Sequence, residues 1–289
     1  MALSALHKFF IGGATAAVAL TGVAIAAGGD DSYKNGYKMD HPTWEWTGAL
    51  GGYDREAMQR GYQVYKEVCR ACHNLDHLAF RHLGDKGGPF YSEYYDNPND
   101  SPLIKNIAAE YTVEDIDGET GDIIERPGIP ADYFPPVYPN DAAARAGNGG
   151  ALPPDLSVIV KARGGGADYI YNLLIAYDHP KPDDFDLTPG LYYNPVMEGG
   201  RIAMPPQLSE GIVEYDDTDD EAGPYTPPAA TAEQMAYDVT EFLAWAADPK
   251  LETRKSAGLA TIIYLLLLSV LLWLSYKRIW KRLKQPVSG

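Results

Sequence analysis

The chain carries two cysteines among its 289 residues, and both lie in Val68-Cys69-Arg70-Ala71-Cys72-His73. Cys-x-x-Cys-His is the attachment signature of c-type haem: each thiol adds across one vinyl group, and the adjacent imidazole of His73 is placed to act as proximal iron ligand. A covalent haem c has to be wrapped by the surrounding chain, so these six residues constrain the fold more than any other stretch. Other uses of the pair fit less well. A structural zinc site wants four ligands, commonly from two such pairs, and there is no third cysteine to build one. A thioredoxin-like redox pair belongs on a βαβ pattern, which does not surround these residues. A plain disulfide leaves His73 without a task.

The two ends of the chain place it at a membrane. Lys8 precedes an apolar run, Phe9 to Ala27, that closes on Ala24-Ile25-Ala26 as a small-residue cleavage site, so residues 1–26 read as a signal peptide, with an uncleaved anchor as the alternative. Export agrees with haem attachment, which takes place outside the cytoplasmic membrane in bacteria. Gly258 to Tyr276 is an apolar run without a charge, and its 19 residues cover about 28 Å as a helix, enough for a bilayer core. The expected anchor is 256–276. Lys277, Arg278, Lys281, Arg282 and Lys284 follow it, which puts a basic tail, 277–289, in the cytoplasm and a haem domain, 27–254, in the periplasm of a bacterial inner membrane.

Charge narrows the partners. The first 27 and last 35 residues hold no acid and 7 of the 24 basic residues, so residues 28–254 set 17 basic against 40 acidic side chains, a net charge of −23. A surface this acidic disfavours nucleic acid and steers a basic protein toward it, at a rate that falls with salt. It also serves solubility alone.

Between the ends, helical signals are few. Asp54 caps a helix expected over Arg55 to Cys69, in which Met58, Tyr62, Tyr65 and Cys69 recur on one face and the helix delivers Cys69 to the haem. Trp44, Trp46 and Tyr53 mark an irregular lead-in that packs on the domain. Asn74 to Gly150 has no sustained periodicity, and a run of that length inside a domain needs a task, such as wrapping the haem edge. Within it, Ala142 to Arg145 reads as a short helical turn. Asp155 is expected to cap Leu156 to Arg163, Gly164-Gly165-Gly166 ends that helix, and Asp168 to Tyr177 forms the next. Thr231-Ala232-Glu233-Gln234 is a capping box that opens a helix to Ala247, with Met235, Val239, Phe242 and Ala246 on its apolar face, expected to cross the first helix.

The haem site draws on the irregular stretches. Pro153 and Pro154 have no N–H, and one of their free carbonyls is suited to accept the second N–H of His73, fixing its tautomer; Pro154 is the candidate. A sixth iron ligand would be Met197 or Met204, since a thioether stabilises ferrous iron and raises the potential. Met204, held between Ile202-Ala203 and Pro205-Pro206, is the more rigid; Met197 lies beside Gly199-Gly200.

Arg60 to Cys69 with the haem motif, Ala143-Ala144-Arg145, Gly149 to Leu156 continuing through Ile159 to Arg163, Tyr193-Asn194-Pro195, Ile202 to Pro206, and Asp238 to Trp245 before a single anchor fall in one order along the chain. Over about 44–280 it resembles the cytochrome c1 family. The resemblance implies a mainly α fold, a class I-like cytochrome c domain with long irregular loops plus one C-terminal transmembrane helix. It implies an electron-transfer subunit of the ubiquinol-cytochrome c oxidoreductase (bc1) complex, no enzyme on its own. Its partners would be cytochrome b and a Rieske iron–sulfur protein, membrane lipid around the anchor, and a soluble cytochrome c as acceptor. Carried over by motif, Cys69 and Cys72 hold the haem, His73 and Met204 bind iron, and Arg145 meets a propionate. The chain departs from the family in lacking the extra disulfide of some bacterial members and in an enlarged acidic segment, 216–224. An anchored cytochrome c serving another oxidase or reductase, and a haem sensor with an open iron site, are the alternative functions.

Overall fold

The computed structural model describes residues 33–215, 219–220, 223–224 and 226–283. The expected signal peptide, 1–26, the tail end, 284–289, and residues 216–218 and 221 of the acidic run lie outside the described residues. In chain order the elements are β1 (Tyr33–Lys34), β2 (Tyr37–Lys38), α1 (Arg55–Glu67), α2 (Pro102–Ala109), β3 (Thr112–Ile116), β4 (Ile123–Pro127), α3 (Asp141–Gly147), α4 (Ile159–Ala162), α5 (Gly166–Ile175), β5 (Tyr192–Tyr193), β6 (Arg201–Ile202), β7 (Asp219–Asp220), β8 (Gly223–Pro224), α6 (Ala232–Ala247) and α7 (Leu251–Leu283). The fold is mainly helical. Among the described residues the strands form four separate antiparallel pairs, β1–β2, β3–β4, β5–β6 and β7–β8, of which β3–β4 alone is longer than two residues per strand.

The core is built on the crossing of α1 and α6. Asp54 caps α1 by accepting from the Ala57 N–H at 3.1 Å, and the face at i, i+4 and i+7, Met58, Tyr62 and Tyr65, is buried. Thr231 caps α6 by accepting from Gln234 N at 3.2 Å, but Gln234 does not close the box: the Thr231 N–H donates to Ala229 O at 2.8 Å and the Gln234 amide donates to Asp238 at 3.0 Å. Met235, Val239 and Phe242 face the core with no exposed surface. A Cβ at position 61 would stand 2.0 Å from the Asp238 carbonyl oxygen, so Gly61 is what lets the two backbones approach.

Beside that contact Asp238 is buried in a satisfied network. Arg60 donates from Nε at 2.9 Å and Nη2 at 2.8 Å, Tyr215 from its hydroxyl at 2.9 Å, and Gln234 completes the set. Burial pushes the Asp238 carboxyl up and Arg60 pulls it down. A buried pair of this kind adds little net stability but strongly penalises any packing that breaks it. Around the crossing an aromatic cluster, Tyr62, Tyr65, Phe242 and Trp245, keeps ring centroids 5.7 to 5.9 Å apart.

Two elements differ from the sequence reading. The stretch 74–150 is not structureless: α2 packs Ile104, Ile107 and Ala108 inward, and β3–β4 pairs Thr112 with Pro127 through to Ile116 with Ile123. Its isoleucines 116, 123 and 124 are exposed, so no buried face imposes a period on the residues. Leu156 to Arg163 is not one helix capped by Asp155; α4 begins at Ile159, and Asp155 is engaged elsewhere. The C-terminal helix runs unbroken from Leu251 to Leu283, and the expected anchor, 256–276, lies within it. An 18-residue window within Leu251–Lys281 has a mean hydropathy of 2.4 and none of that window is buried in the domain, as in a helix that faces lipid.

Candidate haem-attachment site

Helix α1 stops at Glu67, and Cys69 to Ala71 tighten into a 3₁₀ turn. The N–H groups of Cys72 and His73 both donate to the Cys69 carbonyl, at 3.1 and 2.9 Å. One oxygen therefore gathers the two thiols and the imidazole onto a single turn. Both cysteines are free and half-buried. Burial, and then the neighbouring Cys72, push the Cys69 thiol up to about 12. That is the reverse of the lowered thiol a redox pair needs.

His73 is bound at both its backbone and its ring. Tyr65 donates its hydroxyl to the His73 carbonyl at 3.2 Å. The ring Nδ1 lies 2.8 Å from the carbonyl oxygen of Pro154, and since that oxygen can only accept, Nδ1 carries the proton and Nε2 keeps its lone pair. Burial holds the imidazole below its ordinary value, against the upward pull of the Pro154 carbonyl and Asp155. A neutral imidazole with a free Nε2 is the form that binds a metal.

The bond to Pro154 is held by a seam between residues 73–77 and 154–157. Leu156 N donates to Asn74 O at 2.9 Å, His77 N to Ser157 Oγ at 3.1 Å, and Asp76 N to one oxygen of Asp155 at 2.8 Å. The other Asp155 oxygen accepts from Ser157 N at 2.8 Å. Asp155 thus staples the two segments. Sequence reasoning missed this role and gave the residue to a helix cap, since an Asp after two prolines carries the same local signal in both cases. Asn74 extends the seam by accepting from Val137 N at 2.8 Å.

The other candidate residues stand on separate elements. Arg145 lies in α3, which Asn140 caps by accepting from Ala143 N at 2.9 Å; its guanidinium is exposed and donates to Gly150 O at 3.1 Å. Met204 follows β6 and is half-buried, its carbonyl accepting from the Tyr177 hydroxyl at 2.9 Å. Among the described residues neither is hydrogen-bonded to the Cys-His turn. The two methionines differ at sulfur. Met197 Sδ accepts from the Tyr169 hydroxyl at 3.6 Å, whereas the sulfur of Met204 has no hydrogen bond among the described residues.

The donor set fits a haem and not a bare ion. Among the described residues no three His, Cys, Asp or Glu side chains gather where they could hold a metal. Iron carried in a porphyrin needs only axial ligands from the protein, and two thiols beside an oriented imidazole supply covalent attachment and one such ligand.

Comparison with known proteins agrees with this donor set. The Cytochrome C1 family matches residues 44–283. The chain is 37% identical to cytochrome c1 of Rhodospirillum rubrum over 93% of its own length and 97% of that protein. It is 41% identical to the mitochondrial heme protein cytochrome c1-2 of Solanum tuberosum, over 92% and 94%. It is 39% identical to cytochrome b/c1 of Bradyrhizobium diazoefficiens over 82% of this chain, which spans about a third, 35%, of that longer protein. With the haem motif on its turn and a match over most of its length, the chain belongs to the cytochrome c1 family.

Proposed function

We propose that this chain is the haem c subunit standing between a Rieske iron–sulfur protein and a soluble cytochrome c, anchored beside a cytochrome b in a bacterial inner membrane. Family membership carries the coarser part: a cytochrome c1 is a haem-bearing electron-transfer subunit of the bc1 complex and is not an enzyme on its own. The single observation that carries the reading is the Cys69–His73 turn with His73 Nδ1 held by Pro154. When bound, haem c supplies a one-electron iron couple. The chain's own residues do the rest. Cys69 and Cys72 tether the group, His73 offers Nε2 to the iron, and the 73–77/154–157 seam keeps the imidazole from turning. The free sulfur of Met204 supports it over Met197 as the second axial ligand, because Met197 is already engaged by Tyr169. Arg145 would meet a propionate.

The class I cytochrome c arrangement belongs to the same proposal, supported by an N-terminal helix that ends at the haem motif and a last soluble helix that crosses it. So does the layout of a signal peptide at 1–26, a periplasmic haem domain at 27–254, an anchor at 256–276 and a cytoplasmic tail at 277–289. The apolar, unburied α7 and the basic residues after it support that orientation. The Bradyrhizobium relative bears the names of both cytochrome b and c1 in one chain, which supports cytochrome b as the neighbour. The test is purification in mild detergent from the native membrane, with identification of the haems and co-purifying chains. One covalent haem c on this chain, together with b-type haem and an iron–sulfur protein, is the expected result. Recovery with an oxidase and no b-type haem would sink it.

A further inference from the structure

Where α7 leaves the soluble domain, a groove of about 440 Å³ separates the loop Ala49 to Gly52 from one stripe of the helix. Glu252, Lys255, Ser256, Leu259 and Ile263 line it from the helix side, at the three- and four-residue spacing that puts side chains on one face. From Lys255 to Ile263 the stripe descends about 12 Å along the axis, and its character changes on the way. The upper end presents a carboxylate, an ammonium and a hydroxyl; the lower end is aliphatic and belongs to the apolar run that begins near Gly258. Across the groove stands Leu50, 80% exposed. A leucine displayed this fully, at the level where a helix enters lipid, is placed to contact the bilayer and not water.

Two charges at the rim, Lys255 and Glu252, have no ion-pair partner among the described residues. Three cations occupy the first turn and a half of the helix and its approach. Lys250 pairs with Asp85 at 3.1 Å and Arg254 with Asp248 at 2.6 Å. Lys255 has no carboxylate partner among the described residues; it donates to the carbonyls of Trp46 at 2.6 Å and Gly51 at 3.0 Å, which leaves one of its three hydrogens for another acceptor. Glu252 accepts only from Tyr53 N, at 3.1 Å, among the described residues. A lone cation and a lone anion thus lie one turn apart above an apolar channel. This is the complement of a zwitterionic headgroup whose phosphate and primary amine are joined to acyl chains.

We infer that the groove binds one phospholipid with a primary-amine headgroup, from the leaflet that faces the haem domain. Its phosphate meets Lys255, its ammonium meets Glu252, and an acyl chain lies along Leu259 and Ile263 beneath Leu50. The inference rests on reading α7 as a membrane span. A choline headgroup has no N–H to give Glu252, and a glycerol headgroup offers that carboxylate hydroxyls but no positive charge.

The test uses the full-length haem-bearing chain, purified in detergent, stripped of lipid and titrated with phosphatidylethanolamine, phosphatidylcholine or phosphatidylglycerol while native mass spectrometry counts bound lipids. One phosphatidylethanolamine per chain is expected, held about fivefold more tightly than either alternative, the value of one charged contact of about 1 kcal/mol at a membrane surface. Glu252→Gln should abolish the preference over phosphatidylglycerol while the haem spectrum stays unchanged. Equal binding of all three lipids, or an unchanged preference in Glu252→Gln, overturns the site. A photocrosslinker at position 259 in the intact complex should label lipid; labelling of another subunit's helix overturns it as well. Recovery of the full chain in water without detergent would instead overturn the membrane-span reading.

Discussion

His73 donates from Nδ1 to the Pro154 carbonyl because the seam between residues 73–77 and 154–157 holds that oxygen against the ring. Loss of the Asp155 carboxylate removes the acceptor for both Asp76 N and Ser157 N, and each unpaired N–H costs about 1 kcal/mol or less where water can reach it. The larger effect of Asp155→Ala falls on the ring. With the seam loosened, Pro154 holds the Nδ1 proton less firmly, the imidazole becomes a poorer donor, and the reduction potential should rise. Asp155→Asn, which keeps one acceptor, should lie between. Met204→Leu should shift the potential sharply the other way, with haem still attached, because the thioether's preference for ferrous iron is gone. Met197→Leu loses only the contact with Tyr169 and should leave the potential close to wild type. Redox titration of the variants reads both signs, and reversed phenotypes for the two methionines would exchange their roles.

Helix α6 carries a second buried carboxylate that ties three elements together. Glu241 has no exposed surface and accepts from Trp46 Nε1 at 2.8 Å and Asp54 N at 3.0 Å, joining the lead-in, the start of α1 and α6. Burial pushes its carboxyl up to about 7, against the downward pull of those two donors. A carboxyl raised in the folded state stays protonated there while the unfolded chain has already released its proton. The linkage therefore runs against folding as pH rises: stability is highest below about 4.5 for this group and falls through about 7, by about 3 kcal/mol in all. Glu241→Gln should flatten that decline. Urea unfolding of the two proteins at pH 5 and pH 7.5 is the measurement, and an equal slope in both would show that another group sets it.

For the molecule as a whole, charge and anchorage are separate. Electron transfer to a basic cytochrome c should slow as salt rises from low to physiological concentration, because the net −23 of residues 28–254 acts over a range that screening shortens. Stopped-flow rates that stay flat over that range would remove the steering. Anchorage resides in α7 alone among the described residues, but the domain reaches into its first turns: Leu251 is buried, and Lys255 clasps the carbonyls of Trp46 and Gly51. A chain ended after Ser256 should be released to the periplasm as a soluble, haem-bearing cytochrome. One ended after Arg254 should also be soluble but less stable by about 1 kcal/mol, since two partly buried carbonyls lose a charged donor. Fractionation and thermal melts distinguish the pair, and a membrane-bound fragment retaining residues 1–26 would reveal a second anchor.

The haem turn, the caps at Asp54 and Thr231, the α1 and α6 faces and the apolar span were legible in the residues because each rests on local information: a covalent motif, a side chain three positions from its partner, a period, an uninterrupted run. The same locality misplaced Asp155. Its local partner, Ser157 N, is genuine, but its other oxygen accepts from Asp76 N, 79 residues away, and no period of 2 or 3.6 announces such a neighbour. The hairpin β3–β4 escaped for a related reason, since its isoleucines face solvent and its stability comes from cross-strand bonds. That Gly61 is a crossing point and not a weak spot in a helix follows from the Asp238 carbonyl lying against it. The lone charges of Glu252 and Lys255 look like ordinary helix-flanking residues until folding lays the 49–52 loop over them. Local sequence carries what can bind haem and what can enter a membrane; which groups stand beside them depends on closing loops of many tens of residues, and that is settled by packing.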